Sequence, residues 1–108
     1  MPRTLIVDDM PEVYDKVRGH FEDSSYAPTR QQAVRKIESR EYDRVLTDYH
    51  LGDDDPQGGL EVARAAIEKG LPVILMSREN QEEEARKLGI RFVFKKSVIQ
   101  NGWPDSAR

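Results

Sequence analysis

The sequence predicts an α/β fold, a doubly wound parallel sheet with helices on both faces in three layers. Three observations predict it. Short apolar runs alternate with amphipathic stretches from one end of the chain to the other. The runs are near-continuous rather than alternating, the pattern of strands covered on both sides. And 108 residues suffice for one hydrophobic core but not for two, so the expected organisation is a single domain over 1–108.

The elements follow in order. "TLIV" at 4–7 reads as the first strand. From Pro11, suited to a first helical turn, a helix is expected to about residue 22, with Met10, Val13, Val17 and Phe21 near one face. A weak strand signal covers 25–28. Thr29 with Gln32 forms a capping box that opens a helix to about residue 39, with Ala33, Val34 and Ile37 inward. "RVLTD" at 44–48 is the second clear strand, followed by the Gly- and Asp-rich loop "YHLGDDDPQGG". A helix at 59–69 turns Leu60, Ala63 and Ile67 to one side and is closed by Gly70. "LPVILMS" at 71–77 is the third clear strand. Asn80 with Glu83 caps a short helix through Leu88, and "IRFVFK" at 90–95 is the last strand. Residues 96–108, with Gly102 and Pro104, are expected as an irregular tail or a stub of at most one helical turn.

Composition narrows the function classes. Charged residues reach 34% against 37% hydrophobic, a rather polar globular balance, and no apolar run approaches the ~20 residues of a membrane span. The net charge of −3 argues against a nucleic-acid surface. Without cysteine there is no disulfide framework and no thiol chemistry. With no signal segment visible, a cytoplasmic location is the expectation.

In doubly wound sheets, ligands bind in the crevice beyond the carboxyl ends of the strands. The residues just after the apolar runs are Asp8 and Asp9, then Asp48, Ser77 and Lys95. Singly, each has a local explanation: Asp9 as a helix cap, Ser77 as a turn hydroxyl, Lys95 as a solvated cation. Jointly they place three carboxylates, a hydroxyl and an ammonium on one sheet edge. Adjacent carboxylates at the end of a buried strand repel and resist desolvation, which a divalent cation would relieve. Mg²⁺ suits that donor set, with Asp8, Asp9 and Asp48 as ligands and the backbone carbonyl near His50 as a further oxygen. Asp48 is then positioned to attack a phosphoryl donor. Lys95 would act as a point charge on the phosphoryl group and Ser77 as a hydrogen-bond donor to it.

At this point the chain resembles the receiver domain of two-component response regulators, through "LIVDDM", "RVLTDYHL", "GGLEVARAAI", "LPVILMS" and "GIRFVFKK" in order. The resemblance covers nearly the whole chain to about Lys96. It implies a flavodoxin-like sheet of five strands in the order 2-1-3-4-5. It implies Asp48 as phosphoacceptor, Asp8 and Asp9 as Mg²⁺ ligands, Ser77 as switch hydroxyl, Lys95 as phosphate contact and Phe92 as the aromatic switch residue. The implied partners are a sensor histidine kinase or a histidine phosphotransfer protein, and a downstream protein that the sequence does not name. The implied role is a signalling switch that takes part only in its own phosphorylation and dephosphorylation, and is otherwise no enzyme.

Several positions depart from the family pattern. Lys96 stands where proline usually follows the lysine, so the family's cis peptide, ~3 kcal/mol in cost without proline, has no proline to ease it. Gly52 replaces a frequent proline, and the loop "GDDDPQGG" is a few residues longer than usual. Arg78 follows Ser77 where a small residue is normal; it could wall off the site or hold the phosphate. His50, two residues after Asp48, is a candidate modulator of phosphoryl hydrolysis. The first helix with its following strand, and the fourth helix, look shortened. The last helix, half of the family's usual dimer and partner face, looks truncated or absent. Asp53, Asp54 and Asp55 read as a solvated turn rather than a second metal site, and His20 and His50 are too few and scattered for zinc.

Two other functions compete. A receiver-like binding module working without phosphorylation would explain Arg78 and the short helices, though it would not need all five site residues. A phosphatase of the haloacid dehalogenase type shares metal, aspartate and lysine, but needs a second aspartate where this chain has His50.

Overall fold

A computed structural model of the chain describes residues 2–39 and 41–104. Of the tail expected over 96–108, residues 105–108 lie outside the described residues. Five parallel strands form one sheet in the order β2-β1-β3-β4-β5. They are β1 (Arg3–Val7), β2 (Asp23–Ala27), β3 (Arg44–Asp48), β4 (Val73–Ser77) and β5 (Arg91–Phe94). The helices between and after them are α1 (Pro11–Val17), α2 (Arg30–Glu38), α3 (Gly58–Glu68), α4 (Glu82–Leu88) and α5 (Lys95–Asn101). The fold is flavodoxin-like, as the sequence predicts.

The side-chain alternation of the central strands sorts the core into layers. Leu5 and Val7 of β1 and Val45 of β3 face Ala33 and Ile37 of α2 and Val62, Ala63 and Ala66 of α3. Ile6, Leu46, Ile74 and Met76 face the other way, onto Val13 and Val17 of α1 and Val98 of α5. A third cluster, Leu60, Leu75 and Ala85, seats α4. Thr29 caps α2 as expected, its hydroxyl accepting from the Gln32 N–H at 3.2 Å. Gly70 and Gly89, both at positive φ, close α3 and α4.

Six expectations need correction. The first helix stops at Val17 rather than near residue 22, tightening into a 3₁₀ turn, Arg18–His20. Phe21 still joins the Val13–Val17 cluster, but from an extended residue. Met10 is 36% exposed rather than inward, because the residue before a proline is pushed out of helical geometry, here to φ −110° and ψ 110°. The second strand begins at Asp23, earlier than expected, and pairs with β1 over its length. Ile67 is 41% exposed: the buried stripe of α3 runs through Val62, Ala63 and Ala66, and one residue further is turned about 100° out of it. Asn80 does not cap α4 in the expected manner; its side chain accepts from the Glu82 N–H at 2.8 Å while Gln81 occupies the cap.

The sixth concerns the end of the chain, where "at most one turn" is too little. α5 has 7 residues, about two turns, and starts at Lys95 with no connecting loop after β5. It is still short. Val98 anchors it in the core, Gly102 ends it at φ +75°, and His20 Nε2 meets the Ile99 carbonyl at 2.9 Å. Beyond it, half-buried Trp103 packs on the α1/α5 cluster and lies under the Arg44 guanidinium at 4.4 Å. All peptide bonds among the described residues are trans, including those around Lys96.

Candidate functional site

The parallel register brings the carboxyl ends of β1, β3 and β4 level, with Val7 opposite Thr47 and Asp48 opposite Met76. Asp8, Asp48, Ser77 and Lys95 therefore converge from four segments. All four are buried, between 0% and 7% exposed, and three of them are charged, which is rare in the interior unless they are paired. They border or underlie a cleft of about 360 Å³ whose rim also includes Asp9, His50 and Arg78. One carboxylate oxygen from each of Asp8, Asp9 and Asp48 lies within 4.8 Å of the other two.

Lys95 stands between the two buried carboxylates. Its Nζ is 2.9 Å from Asp8 Oδ2 and 2.9 Å from Asp48 Oδ2, and donates a hydrogen bond to Asp48. Asp8 Oδ1 accepts from the Met10 N–H at 2.9 Å, while its buried Oδ2 has the Lys95 ammonium as its partner. Burial, reinforced by the neighbouring Asp8 charge, pushes Asp48 up to about 6. Burial likewise raises Asp8, against the Lys95 contact that lowers it. For Lys95, burial alone would lower the pKa, but the bond to Asp48 and the charges of Asp48 and Asp8 outweigh it, so the ammonium persists.

The backbone around Asp48 is held just as closely. Gly59, at the start of α3, approaches the Asp48 carbonyl so tightly that a Cβ there would sit 2.0 Å from the oxygen. Only glycine lets α3 begin this close to β3. In the preceding loop Asp55 accepts from Arg30 Nε at 2.8 Å and its carbonyl accepts from the Leu51 and Gly58 N–H groups. Asp53 and Asp54 are exposed. The triple-aspartate stretch is thus a turn with one anchored member, and Asp8, Asp9 and Asp48 form the one carboxylate cluster of metal-binding spacing among the described residues.

Not every residue singled out from the sequence reaches the cleft. Ser77 does, with its Oγ accepting from the Glu79 N–H at 3.1 Å, which leaves the hydroxyl proton available. His50 is exposed on the rim, its Nδ1 3.4 Å from the Gly52 N–H. Phe92 does not line the cleft; half-buried, it packs on the Leu60–Leu75–Ala85 cluster and sits edge-on to Phe94 at 5.0 Å.

Two contributors escaped the sequence reading. Tyr26 donates to the Asp8 carbonyl at 2.7 Å and stacks on Tyr14 at 4.8 Å, bracing the β1 end from the neighbouring strand. Burial, with the Asp8 charge next, pushes the Tyr26 hydroxyl up to about 12. A tyrosine in a weak strand gave no local signal of this. Met10, read as a helix-face residue, is instead at the lip of the cleft, where its Sδ receives Arg78 Nη2 at 3.9 Å.

The three carboxylates fit a divalent cation. One oxygen from each lies within 4.8 Å of the others, a single ammonium, Lys95, faces all this charge, and an all-oxygen donor set at this spacing suits a hard ion such as Mg²⁺.

Comparison with solved structures defines the class of fold. The chain is similar to a response-regulator receiver domain from Francisella, with TM-score 0.76 and 22% identity over 93% of this chain and 88% of that one. It is similar to a two-component response regulator from Clostridium difficile, with TM-score 0.73 and 20% identity over 93% of this chain and 96% of that one. The fold is therefore that of receiver domains. A de novo designed Rossmann 2x3 protein shares it as well, with TM-score 0.74 and 17% identity over 93% of this chain and 85% of the design. Architecture alone thus does not carry the function, and the site must. No family model and no curated protein matches the sequence.

Proposed function

We propose that this chain is a receiver module of two-component signalling, a phosphorylation-dependent switch with Asp48 as its phosphoacceptor. One observation carries the reading: buried Asp48 is bonded to Lys95 at 2.9 Å and lies in a three-carboxylate cluster with Asp8 and Asp9. Structural charge pairs do not need a third and fourth charged group opening on a cleft. Likeness to receiver domains supports it.

In this reading a carboxylate oxygen of Asp48 attacks the phosphorus of a phosphohistidine or acyl phosphate. The O–P bond forms as the donor's P–N or P–O bond breaks, and the electron pair leaves with the donor. With Oδ2 held by Lys95, the other oxygen is the nucleophile. Asp48 is ionised above pH of about 6, so it is ready at neutral pH. Lys95, already placed beside Asp48, covers charge on one phosphoryl oxygen, and the Ser77 hydroxyl donates to another. Mg²⁺ held by Asp8, Asp9 and Asp48, with the carbonyl near His50, would supply further charge neutralisation. A histidine kinase or histidine phosphotransfer protein is the donor, and a further protein reads the result. The cytoplasm is the fitting location; no helix among the described residues is long and apolar enough to cross a membrane.

Intact mass after incubation with Mg²⁺ and acetyl phosphate tests the reading. One phosphoryl adduct is expected, dependent on Mg²⁺ and absent in Asp48→Asn. A second reading, a binding module that works without phosphorylation, draws on the Arg78–Met10 contact at the mouth of the cleft. A folded protein that binds Mg²⁺ yet takes up no phosphoryl group would favour it.

A further inference from the structure

We propose that Arg78 senses the occupancy of Asp48, resting on the Met10 sulfur while the aspartate is bare and leaving it for the phosphoryl oxygens once they are present. The proposal rests on the reading of Asp48 as phosphoacceptor and adds to it how loading reaches the surface.

The starting point is an exposed guanidinium with a poor partner. Arg78 Nη2 donates only to a thioether, at 3.9 Å, and sulfur is a weak acceptor. Among the described residues Arg78 makes no ion pair, although it borders a cleft holding Asp9 and Asp48. Lys95 already occupies the gap between Asp8 and Asp48, at 2.9 Å from each, so the guanidinium of Arg78 stays at the rim of the bare site.

Position makes Arg78 more than a rim residue. It lines the carboxylate cleft and also a second concavity of about 460 Å³, between β5 and α5, to which Phe94 and Ile99 contribute. Arg78 is thus part of the wall between the two. Two exposed large hydrophobic residues flank it, Met10 on the cleft side and Phe94, 46% exposed, on the groove side. Ser77, the residue before it, is tied to the Glu79 N–H, while Phe92 is packed away from the cleft.

A phosphoryl group changes the balance at this wall. It adds a charge of about −1.5 to −2 and three strong acceptor oxygens. A guanidinium is planar, permanently charged and matched to two such oxygens at once, so it exchanges one weak sulfur contact for charge-assisted bonds. Withdrawal of Arg78 uncovers Met10 and shifts the wall beside Phe94. Occupancy of a buried aspartate thereby becomes a change in an apolar surface.

The methyl resonance of Met10 reports this directly, in protein labelled at methionine methyls and titrated with beryllofluoride and Mg²⁺. Bound fluoride, read by ¹⁹F NMR and compared with Asp48→Asn, reports loading independently. In the wild type, loading is expected to move the Met10 methyl. In Arg78→Gln that methyl should start displaced and stay unmoved on loading, with the half-saturating beryllofluoride raised about tenfold, the scale of one charge-assisted hydrogen bond. Arg78→Lys, which keeps the charge and loses the fork, should fall between. Normal fluoride binding with Met10 unmoved in the wild type, or Arg78→Gln binding as tightly as wild type, would overturn the proposal and leave the phosphoacceptor reading standing. No Asp48-dependent fluoride signal in the wild type would overturn both.

Discussion

Strand β3 begins with a half-buried cation, Arg44, and ends against a buried one, Lys95, and the two are handled in opposite ways. At the carboxyl end, Lys95 is enclosed with Asp8 and Asp48 at 2.9 Å each, and both carboxylates are driven up in pKa by burial. At the amino end, Arg44 donates through Nε to the Thr4 hydroxyl at 2.7 Å and lies over Phe21 at 5.4 Å and Trp103 at 4.4 Å. Burial lowers its pKa, with only Asp43 opposing. The amino end is a packing solution: aromatic faces and a hydroxyl satisfy a delocalised cation and fasten the short α5 to the sheet. The carboxyl end concentrates charge that folding alone would avoid. The difference separates a cation satisfied by packing from one held inside a cluster of carboxylates.

Substitutions at the two ends should keep that distinction. The largest effect is expected for Lys95→Ala, which leaves two buried carboxylates without their cation. Urea unfolding at pH 7 without metal should show a loss of about 3–5 kcal/mol, shrinking toward pH 5 as Asp48 takes up a proton. A loss below about 1 kcal/mol would make Lys95 no different from Arg44.

Asp48→Asn should have the opposite sign. The folded pKa of Asp48, about 6, lies above its ordinary value of 3.8, so the native state holds more protons in that window. The wild type therefore loses stability as pH rises from about 4 through about 6, and at pH 7 bears the full cost. Asparagine bears none of it. A gain of up to about 3 kcal/mol is expected at pH 7, fading as pH falls through 6 and gone near 4. Mg²⁺ should stabilise the wild type at pH 7 and leave the asparagine variant much less affected. A flat difference across this pH range would mean that Asp48 is not strained by burial.

At the amino end the effects are those of ordinary packing. Trp103→Ala should cost about 2 kcal/mol, less than a fully buried tryptophan, and loosen α5 as read by amide exchange at 96–101. Arg44→Met should cost only about 1 kcal/mol, because no buried carboxylate is left unpaired. A cost for Arg44→Met as large as that of Lys95→Ala would erase the contrast.

Much of this layout is legible in single segments. β1, β3 and β4 are near-continuous apolar runs, and the residue ending each can be read off directly, so Asp8, Asp48 and Ser77 were found without tertiary information. Lys95 was found too, though as the end of a strand rather than the first residue of a helix. Surface exposure was harder. Met10 and Ile67 look like core residues by spacing, but a proline next door and a rotation of one residue turn them out. Tyr26 sits in a strand with almost no β signal, and its role comes from a bond to Asp8, 18 residues away.

By itself the sequence determined the alternation of strands and helices, the caps at Thr29 and Gly70, and which charged residues stand at strand ends. Those are local properties, set by burial pattern and backbone preference within a few residues. Only the tertiary structure decided that Lys95 reaches Asp48, 47 residues earlier, that Arg78 meets Met10 across 68, and that Trp103 closes on Arg44. Such contacts depend on which strand ends lie side by side in the closed sheet, and no stretch of chain carries that information alone.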